Sequence, residues 1–374
     1  MKTPCGDFKI TRNVDYCPPC GRTYPQGDKE LGIADKIRAT DDFIEIAAFI
    51  AQLVPSYTDA SKVLSKTMGV YINESQLKKI VDYVGSRVHN KQMKKAEESY
   101  NKPEIAMSVI PEREKRDLTL YITTDGSAVN TRIQDEDGST WKEMKLGMTF
   151  LDEDIKKKKD GTFRIKNKEY VAYLGSVNEF KKLLFESAIK AGYGKVKKVV
   201  VLGDGAIWIW NMCKELFPDA ICILDLFHMK EKIFDHAKLL FPNNEKKYKK
   251  WAETVSYYIE TEQVKKALKK IENNPLPTAE LEKKVNLHGY IINNLERVKY
   301  LEYKNKGFYV GSGMIESGNK VVVQKRMKQA GQRWSKDGAQ NMVVLRAKYE
   351  SGDWQEVKTM LLAGRKPGTR RKAA

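Results

Sequence analysis

Residues 118–126 read LTLYITTDG. Leu118, Leu120 and Ile122 alternate with Thr119, Tyr121 and Thr123, the two-residue period of a β-strand, and the run ends in Asp125 and Gly126. Working outward, Trp141 to Phe150 reads as a second strand, reached through a polar turn at Asp135, Glu136, Asp137 and Gly138. Asp152 to Lys168 is a charged loop containing Lys156 to Lys159, suited to a solvated hairpin tip. Tyr170 to Leu174 is a third strand, and Asn178 to Ala191 a helix. Val196 to Leu202 is a nearly continuous apolar run, the pattern of a buried central strand. Gly203-Asp204-Gly205-Ala206 closes it, a helix with Trp208 and Trp210 follows, and Ala220 to Leu226 is one more short strand that includes Asp225. Three strands, helix, strand, helix, strand predicts an α/β fold with a mixed sheet.

The sheet is flanked by helical sequence. Residues 229–306 are rich in Lys and Glu and carry no strand signal, so one helical block interrupts the sheet domain before a helix at Met314 to Lys328. Ahead of the sheet, Asp42 to Val54 and Thr58 to Lys66 read as helices, and Gly69 stops the second. Asn73 and Gln76 have the spacing of a capping box for a third, whose stripe is Leu77, Ile80, Val81 and Val84. Lys78, Lys79 and Arg87 lie off that stripe. Helix, Gly-containing turn and capped helix with a basic side is the layout of a DNA-binding helix-turn-helix, and equally of a plain helical bundle. The expected parts are therefore 1–30, a helical region 31–110, a sheet domain 111–228 and 311–350, an all-helical insertion 229–310, and a basic tail 351–374.

Across 374 residues, 67 Lys and Arg face 49 Asp and Glu, a net charge of +18. That excess suits a polyanionic partner, nucleic acid first, because phosphate binding rests largely on Lys and Arg displacing counterions. No apolar run reaches the ~18 residues a membrane span needs, and the start lacks the apolar core of a secretory signal. A soluble, cytoplasmic protein is expected. Among five cysteines, Cys213 and Cys222 sit in apolar contexts and read as reduced core residues. Cys17-Pro18-Pro19-Cys20-Gly21 is half of a zinc ribbon, with Cys5 as the one further thiol nearby. Zinc on Cys5, Cys17 and Cys20 competes with the simpler reading of a redox-inert turn.

Three acids stand at telling places: Asp125 ending the first strand, Asp204 ending the fourth, and Glu316 opening the helix after the insertion. In α/β sheets reactive groups collect beyond the strand ends. Two aspartates there, facing a glutamate, offer the hard oxygen ligands that Mg²⁺ prefers, and two such ions can clamp the oxygens of an in-line phosphoryl transfer. Each acid also has a plain reading: a hairpin turn at Asp125-Gly126, a helix cap at Asp204, a helix-dipole partner at Glu316. On the last helix Met314, Ile315, Gly318, Val321 and Val322 share one face, and Glu316, Lys320 and Gln324 the other. From Ser317 to Lys336 there is no acid, but Lys320, Lys325, Arg326, Lys328 and Arg333 supply phosphate ligands. Trp334 can stack a base or pack in the core. Asp225 and His228, three apart at a strand-to-helix junction, can stand behind the acids.

Taken together, Asp125-Gly126, Gly203-Asp204-Gly205-Ala206 with Trp208 two residues on, Asp225-xx-His228, the helical insertion, Gly311-Ser312-Gly313-Met314-Ile315-Glu316-Ser317 and Gly331-Gln332-Arg333-Trp334-Ser335 resemble bacterial insertion-sequence transposases. The similarity is to the Mutator-like DDE group and covers roughly residues 35 to 350. It implies an RNase H-like core, with Asp125, Asp204 and Glu316 as a triad on two Mg²⁺ or Mn²⁺ ions, and Asp225 and His228 as the group's C/DxxH pair. It further implies that water cuts the transposon ends and that the freed 3′-OH attacks target DNA. The helical N-terminal region would hold the inverted repeats, and a homodimer would bring two ends together, associated with a bacterial nucleoid. Relatives carry a fuller zinc ribbon than the three thiols here. A small-molecule substrate is not implied. A nuclease without strand transfer, and a non-catalytic DNA-binding derivative, share the same motifs.

Overall fold

A computed structural model describes residues 1–9, 11, 13–25, 37–107, 110–159, 163–311 and 313–363. Two small antiparallel hairpins come first, Lys2–Thr3 with Gly6–Asp7 and Val14–Cys17 with Arg22–Pro25. Three helices follow: α1 (Asp41–Leu53), α2 (Tyr57–Met68) and α3 (Glu74–Asn101). Thr40, Ser56 and Asn73 cap them with side-chain oxygens on backbone N–H groups, and Asn73 with Gln76 closes the expected capping box. Leu77, Ile80, Val81 and Val84 are fully buried, as their spacing predicts. Unlike a short recognition helix, α3 runs 28 residues. Its length comes from what it packs on: α1, α2 and two later helices of the sheet domain.

The sheet has five strands: β1 (Arg116–Asn130), β2 (Trp141–Leu151), β3 (Glu169–Leu174), β4 (Val196–Gly203) and β5 (Ile221–Leu224), in the order β5-β4-β1-β2-β3. β1, β2 and β3 form an antiparallel meander, while β4 lies parallel to β1 and β5 parallel to β4. The charged loop between β2 and β3 does fold as a hairpin, Ile155–Lys157 against Phe163–Ile165. One expectation needs correcting: β1 does not end at Asp125. It continues to Asn130 because β2 pairs with it along its whole outer half, so Asp125-Gly126 is mid-strand and the turn lies at 131–140. Helix α4 (Val177–Ala191) covers one face, and α5 (Ile207–Leu216) connects β4 to β5.

All the regular structure of the insertion is helical. It comprises α6 (Leu226–Leu240), α7 (Glu245–Glu260), α8 (Val264–Glu272), the short Ala279–Val285, α9 (Leu287–Asn293) and Tyr300–Asn305. Its entry and exit meet, since the Leu226 N–H donates to the Val310 carbonyl at 2.9 Å. The chain then returns to the sheet through α10 (Gly313–Gly318), a wide π-type stretch at Asn319–Gln324 and a last turn at Lys325–Met327.

Two helices close the fold. In α11 (Lys336–Glu350) every residue from Gly338 to Lys348 is buried, because the helix lies between α3 and β3. That burial on all sides explains why it shows no amphipathic signal in the sequence. The second, α12 (Trp354–Leu362), corrects the expected tail at 351–374: Val357 and Leu361 are buried, and the Trp354 indole N–H donates to Glu45 of α1 at 2.5 Å. The basic stretch 364–374 lies outside the described residues. One hydrophobic core joins Phe43 and Leu77 of the N-terminal helices, Leu146 and Leu202 of the sheet and Val255 of the insertion. Among the described residues, no helix is long and apolar enough to cross a membrane.

Candidate functional site

Strand register brings the aspartates together. Leu202 of β4 pairs with Thr123 of β1, and Gly203 pairs with Leu224 of β5. Two residues beyond Thr123 and Leu202 stand Asp125 and Asp204; one residue beyond Leu224 stands Asp225. The three aspartates therefore occupy one row across β1, β4 and β5, where β4 and β5 end and β1 continues. Asp125 is half-buried. Its Oδ1 accepts from the Gly126 N–H at 2.7 Å, and its Oδ2 accepts from the Asn319 side-chain amide. Burial, then the nearby Asp204 charge, pushes its carboxyl above the ordinary range, while His228 pulls the other way.

Asp204 is held at the strand-to-helix turn. Its Oδ1 accepts from the Ala206 N–H at 2.9 Å, and its carbonyl accepts from the Tyr290 hydroxyl of α9 at 2.7 Å. Gly205 follows at φ +96°, and a Cβ there would come within 2.6 Å of the Tyr290 oxygen, so glycine is required on both counts. Asp225 is fully buried and caps α6, its Oδ1 accepting from the Phe227 and His228 N–H groups. The His228 Nδ1 lies 3.3 Å from Glu231, and its Nε2 is buried with no hydrogen-bond partner.

Glu316 enters from α10. Together with Asp125, Asn319, Lys320, Gln324 and Lys328 it lines one open cleft. The expected spoke of Glu316, Lys320 and Gln324 thus shares the cleft with Asp125. The apolar side differs in detail: Ile315, Gly318, Asn319, Val322 and Val323 are buried, because the wide turn rotates the register after Gly318. Asn319 is 3% exposed, its Oδ1 lacks a hydrogen-bond partner and its amide reaches Asp125. No motif marks Asn319 or Tyr290 in the sequence; Asn319 stands three residues after Glu316, one turn on, and that spacing is its one signal. Among the described residues no three His, Cys, Asp or Glu side chains form a ready metal cage. Asp125 and Glu316 line that cleft together, and Asp204 stands beside Asp125 in the strand-end row.

The basic residues divide into two sets. Lys320, Lys325, Lys328 and Arg333 are exposed, as are Lys79 and Arg87 on α3; Lys78 is exposed and ion-paired with Asp82. Arg87 rests on the Tyr83 ring at 5.2 Å. Arg326, expected at a DNA surface, is instead buried, and of the two readings of Trp334, base stacking and core packing, the structure has the second. The Arg326 guanidinium lies between the Tyr57 and Trp334 rings, at 4.9 and 5.2 Å, and its Nε donates to the Ala51 carbonyl at 3.1 Å. The Trp334 indole donates to the Met327 carbonyl at 3.2 Å, and its backbone bridges to Thr131 beyond β1. Both residues tie α1 and α2 to the sheet. Cys5 and Cys20 are exposed and Cys17 is half-buried on its hairpin.

These features define an α/β protein with an acidic strand-end row, a glutamate-bearing helix across from it, and a helical insertion braced on the row. The chain belongs to the uncharacterised protein family UPF0236, whose match spans residues 2–361. It is 33% identical over 73 residues to a UPF0236 protein from the vanSb 3′ region of Streptococcus gallolyticus, covering 20% of this chain and 16% of that protein. It is 26% identical over 249 residues to a UPF0236 protein of Caldanaerobacter subterraneus subsp. tengcongensis, covering 66% of this chain and 50% of that one. The chain spans at most about half the length of these curated relatives. Among solved structures it is similar to the Drosophila P element transposase strand transfer complex, at 10% identity, 85% coverage of this chain, 80% of that chain and a TM-score of 0.27. That likeness is too slight to bear on function.

Proposed function

We propose that this protein is a DDE transposase of RNase H-like fold, acting on double-stranded DNA. The observation that carries the reading is the placement of Asp125 and Asp204 at one level of adjacent parallel strands, with Glu316 lining the same cleft as Asp125. The sheet order, an antiparallel meander followed by two parallel strands on its inner edge, supports an RNase H-like core. Asp125, Asp204 and Glu316 would hold two Mg²⁺ or Mn²⁺ ions; their hard oxygen donors suit divalent cations, and burial, then the nearby Asp204 charge, raises the Asp125 carboxyl in a way that a bound cation would relieve. When bound, such ions lower the pKa of water and steady the oxygens of an in-line displacement at phosphorus.

The protein's own residues do the rest. Asn319 orients the Asp125 carboxylate, and Tyr290 holds the Asp204 turn from the insertion. Lys320 and Lys328, in the cleft, and Lys325 and Arg333 beside it offer charge to DNA phosphates. The exposed Lys78, Lys79 and Arg87 of α3 would add contacts to the transposon ends. Asp225 and His228 brace the row from β5. A homodimer would synapse two ends, and Cys5, Cys17 and Cys20 would take zinc if a further ligand joins them. The test is a labelled duplex carrying the sequences that flank the gene, incubated with Mg²⁺ and a second duplex. Joined products support transposition; cuts without joining reduce the reading to a nuclease; binding without either removes the chemistry.

A further inference from the structure

Beside α10, lined by other residues of that helix than those in the cleft, lies a second groove. Lys158, Phe163, Arg164 and Lys168 line it from the β2–β3 hairpin, Tyr170 from β3, Lys304, Phe308 and Tyr309 from the end of the insertion, and Met314 and Ser317 from α10 itself. No described lining residue is acidic. Lys304 shares its charge with Glu260 at 3.1 Å, while Lys158, Arg164 and Lys168 carry theirs on the hairpin side.

The aromatic rings are placed rather than loose. Phe150 of β2 stacks on Tyr121 of β1 at 5.2 Å between ring centres, Tyr121 meets Tyr309 edge-on at 5.7 Å, and Tyr309 meets Phe163 at 5.4 Å. The Tyr121 hydroxyl also accepts from the Tyr309 N–H at 3.2 Å. A ladder of rings thus runs from the core to Phe163, which is 48% exposed. Lys168 lies 5.8 Å above the Tyr170 ring. An exposed ring costs hydration, and holding it rigid beside three cations suits a ligand with both a flat π-face and negative charge.

We propose that this groove takes unpaired nucleotides of a DNA strand, with Phe163 stacking on a base and Lys158, Arg164 and Lys168 holding its phosphates. Duplex DNA buries its base faces in its own stack, so only unpaired nucleotides can use an aromatic ring. Because Met314 and Ser317 face the groove from the helix that presents Glu316 to the cleft, a strand leaving the cleft crosses one helix to reach Phe163. The proposal rests on the DNA-processing reading above and deepens it.

The test uses the full chain in the presence of a chelator, so that cleavage plays no part. Anisotropy titrations compare a labelled single strand of about 10 nucleotides with a duplex of the same length. Phe163→Leu, which keeps the apolar contact with Tyr309, is expected to weaken single-strand binding about tenfold and leave duplex binding within about twofold, with Phe163→Tyr restoring it. Arg164→Gln with Lys168→Gln should lower the single-strand salt slope by about 1.4. Unchanged single-strand affinity in Phe163→Leu, or an equal loss for strand and duplex, overturns the proposal. Asp204→Asn separates the two readings: if it still cleaves DNA with Mg²⁺, the catalytic reading fails while the groove is untouched.

Discussion

Asp125 and Asp204 lie side by side on two parallel strands, placed by the pairing of Leu202 with Thr123. Asp125 is half-buried and within reach of the Asp204 charge, so its carboxyl is raised above the ordinary range. A group whose folded pKa is raised binds more protons folded than unfolded, so stability falls as the pH climbs from the ordinary carboxylate pKa to the raised one. The fold therefore bears a cost at neutral pH that a cation or a neutral side chain removes.

Asp125→Asn should raise the melting temperature at pH 7 by about 2 °C in chelator, with the gain vanishing as the pH drops below the ordinary carboxylate range. Mg²⁺ should stabilise the parent at pH 7 and have little effect on this variant. Scanning calorimetry across pH checks both statements; a lower melting temperature for Asp125→Asn at pH 7 contradicts them.

Gly85 decides how closely α3 approaches α11. A Cβ at this position would stand 2.6 Å from the Asn341 carbonyl oxygen and 2.8 Å from its Cα, backbone that cannot swing aside. Alanine favours a helix by about 1 kcal/mol over glycine, but parting two packed helices costs about 1–3 kcal/mol or more, so packing wins. Gly85→Ala should lower the urea midpoint; a stabilised variant would mean that the helices part freely.

Arg326→Ala should behave as a core lesion. It unpairs the Ala51 carbonyl and empties the space between the Tyr57 and Trp334 rings, a loss of about 3 kcal/mol. Lysine should not restore it, having no planar fork to lie between rings. Denaturation in urea reads the change directly, and a shift below about 0.5 kcal/mol would place Arg326 at the surface.

The exposed set should behave in the opposite way. Lys325→Ala with Lys328→Ala should leave stability unchanged and reduce the salt slope of duplex binding by about 0.9 per lost contact. Binding titrations from low to moderate salt measure it, and an unaltered slope would turn that helix away from DNA.

The strands were legible because each carries a run of alternating or continuous apolar residues ended by polar turns. The Asn73 cap and the stripe from Leu77 to Val84 were legible for the same reason: local spacing states local structure. What sequence hid was set by tertiary packing. The outer half of β1 exists because β2 pairs with it, and α11 is buried on all sides and so shows no stripe. Arg326 read as a surface residue because basic types suit DNA, and Trp334 read equally as a base platform or a core ring, whereas ring stacking and one carbonyl draw both inside. Tyr290 reaches the Asp204 turn from an element distant in the chain, and such a contact leaves no periodic trace; for Asn319 the one-turn spacing from Glu316 is the only trace.

The measurement that bears most directly on the whole account is Mn²⁺ binding to the full chain, followed by the ion's magnetic resonance signal. The parent is expected to bind Mn²⁺, and Asp125→Asn, Asp204→Asn and Glu316→Gln are each expected to weaken binding at least about tenfold while remaining folded. Mn²⁺ binding left intact by any one of these changes would remove that residue from the site, and no binding in the parent, with or without DNA, would contradict the account.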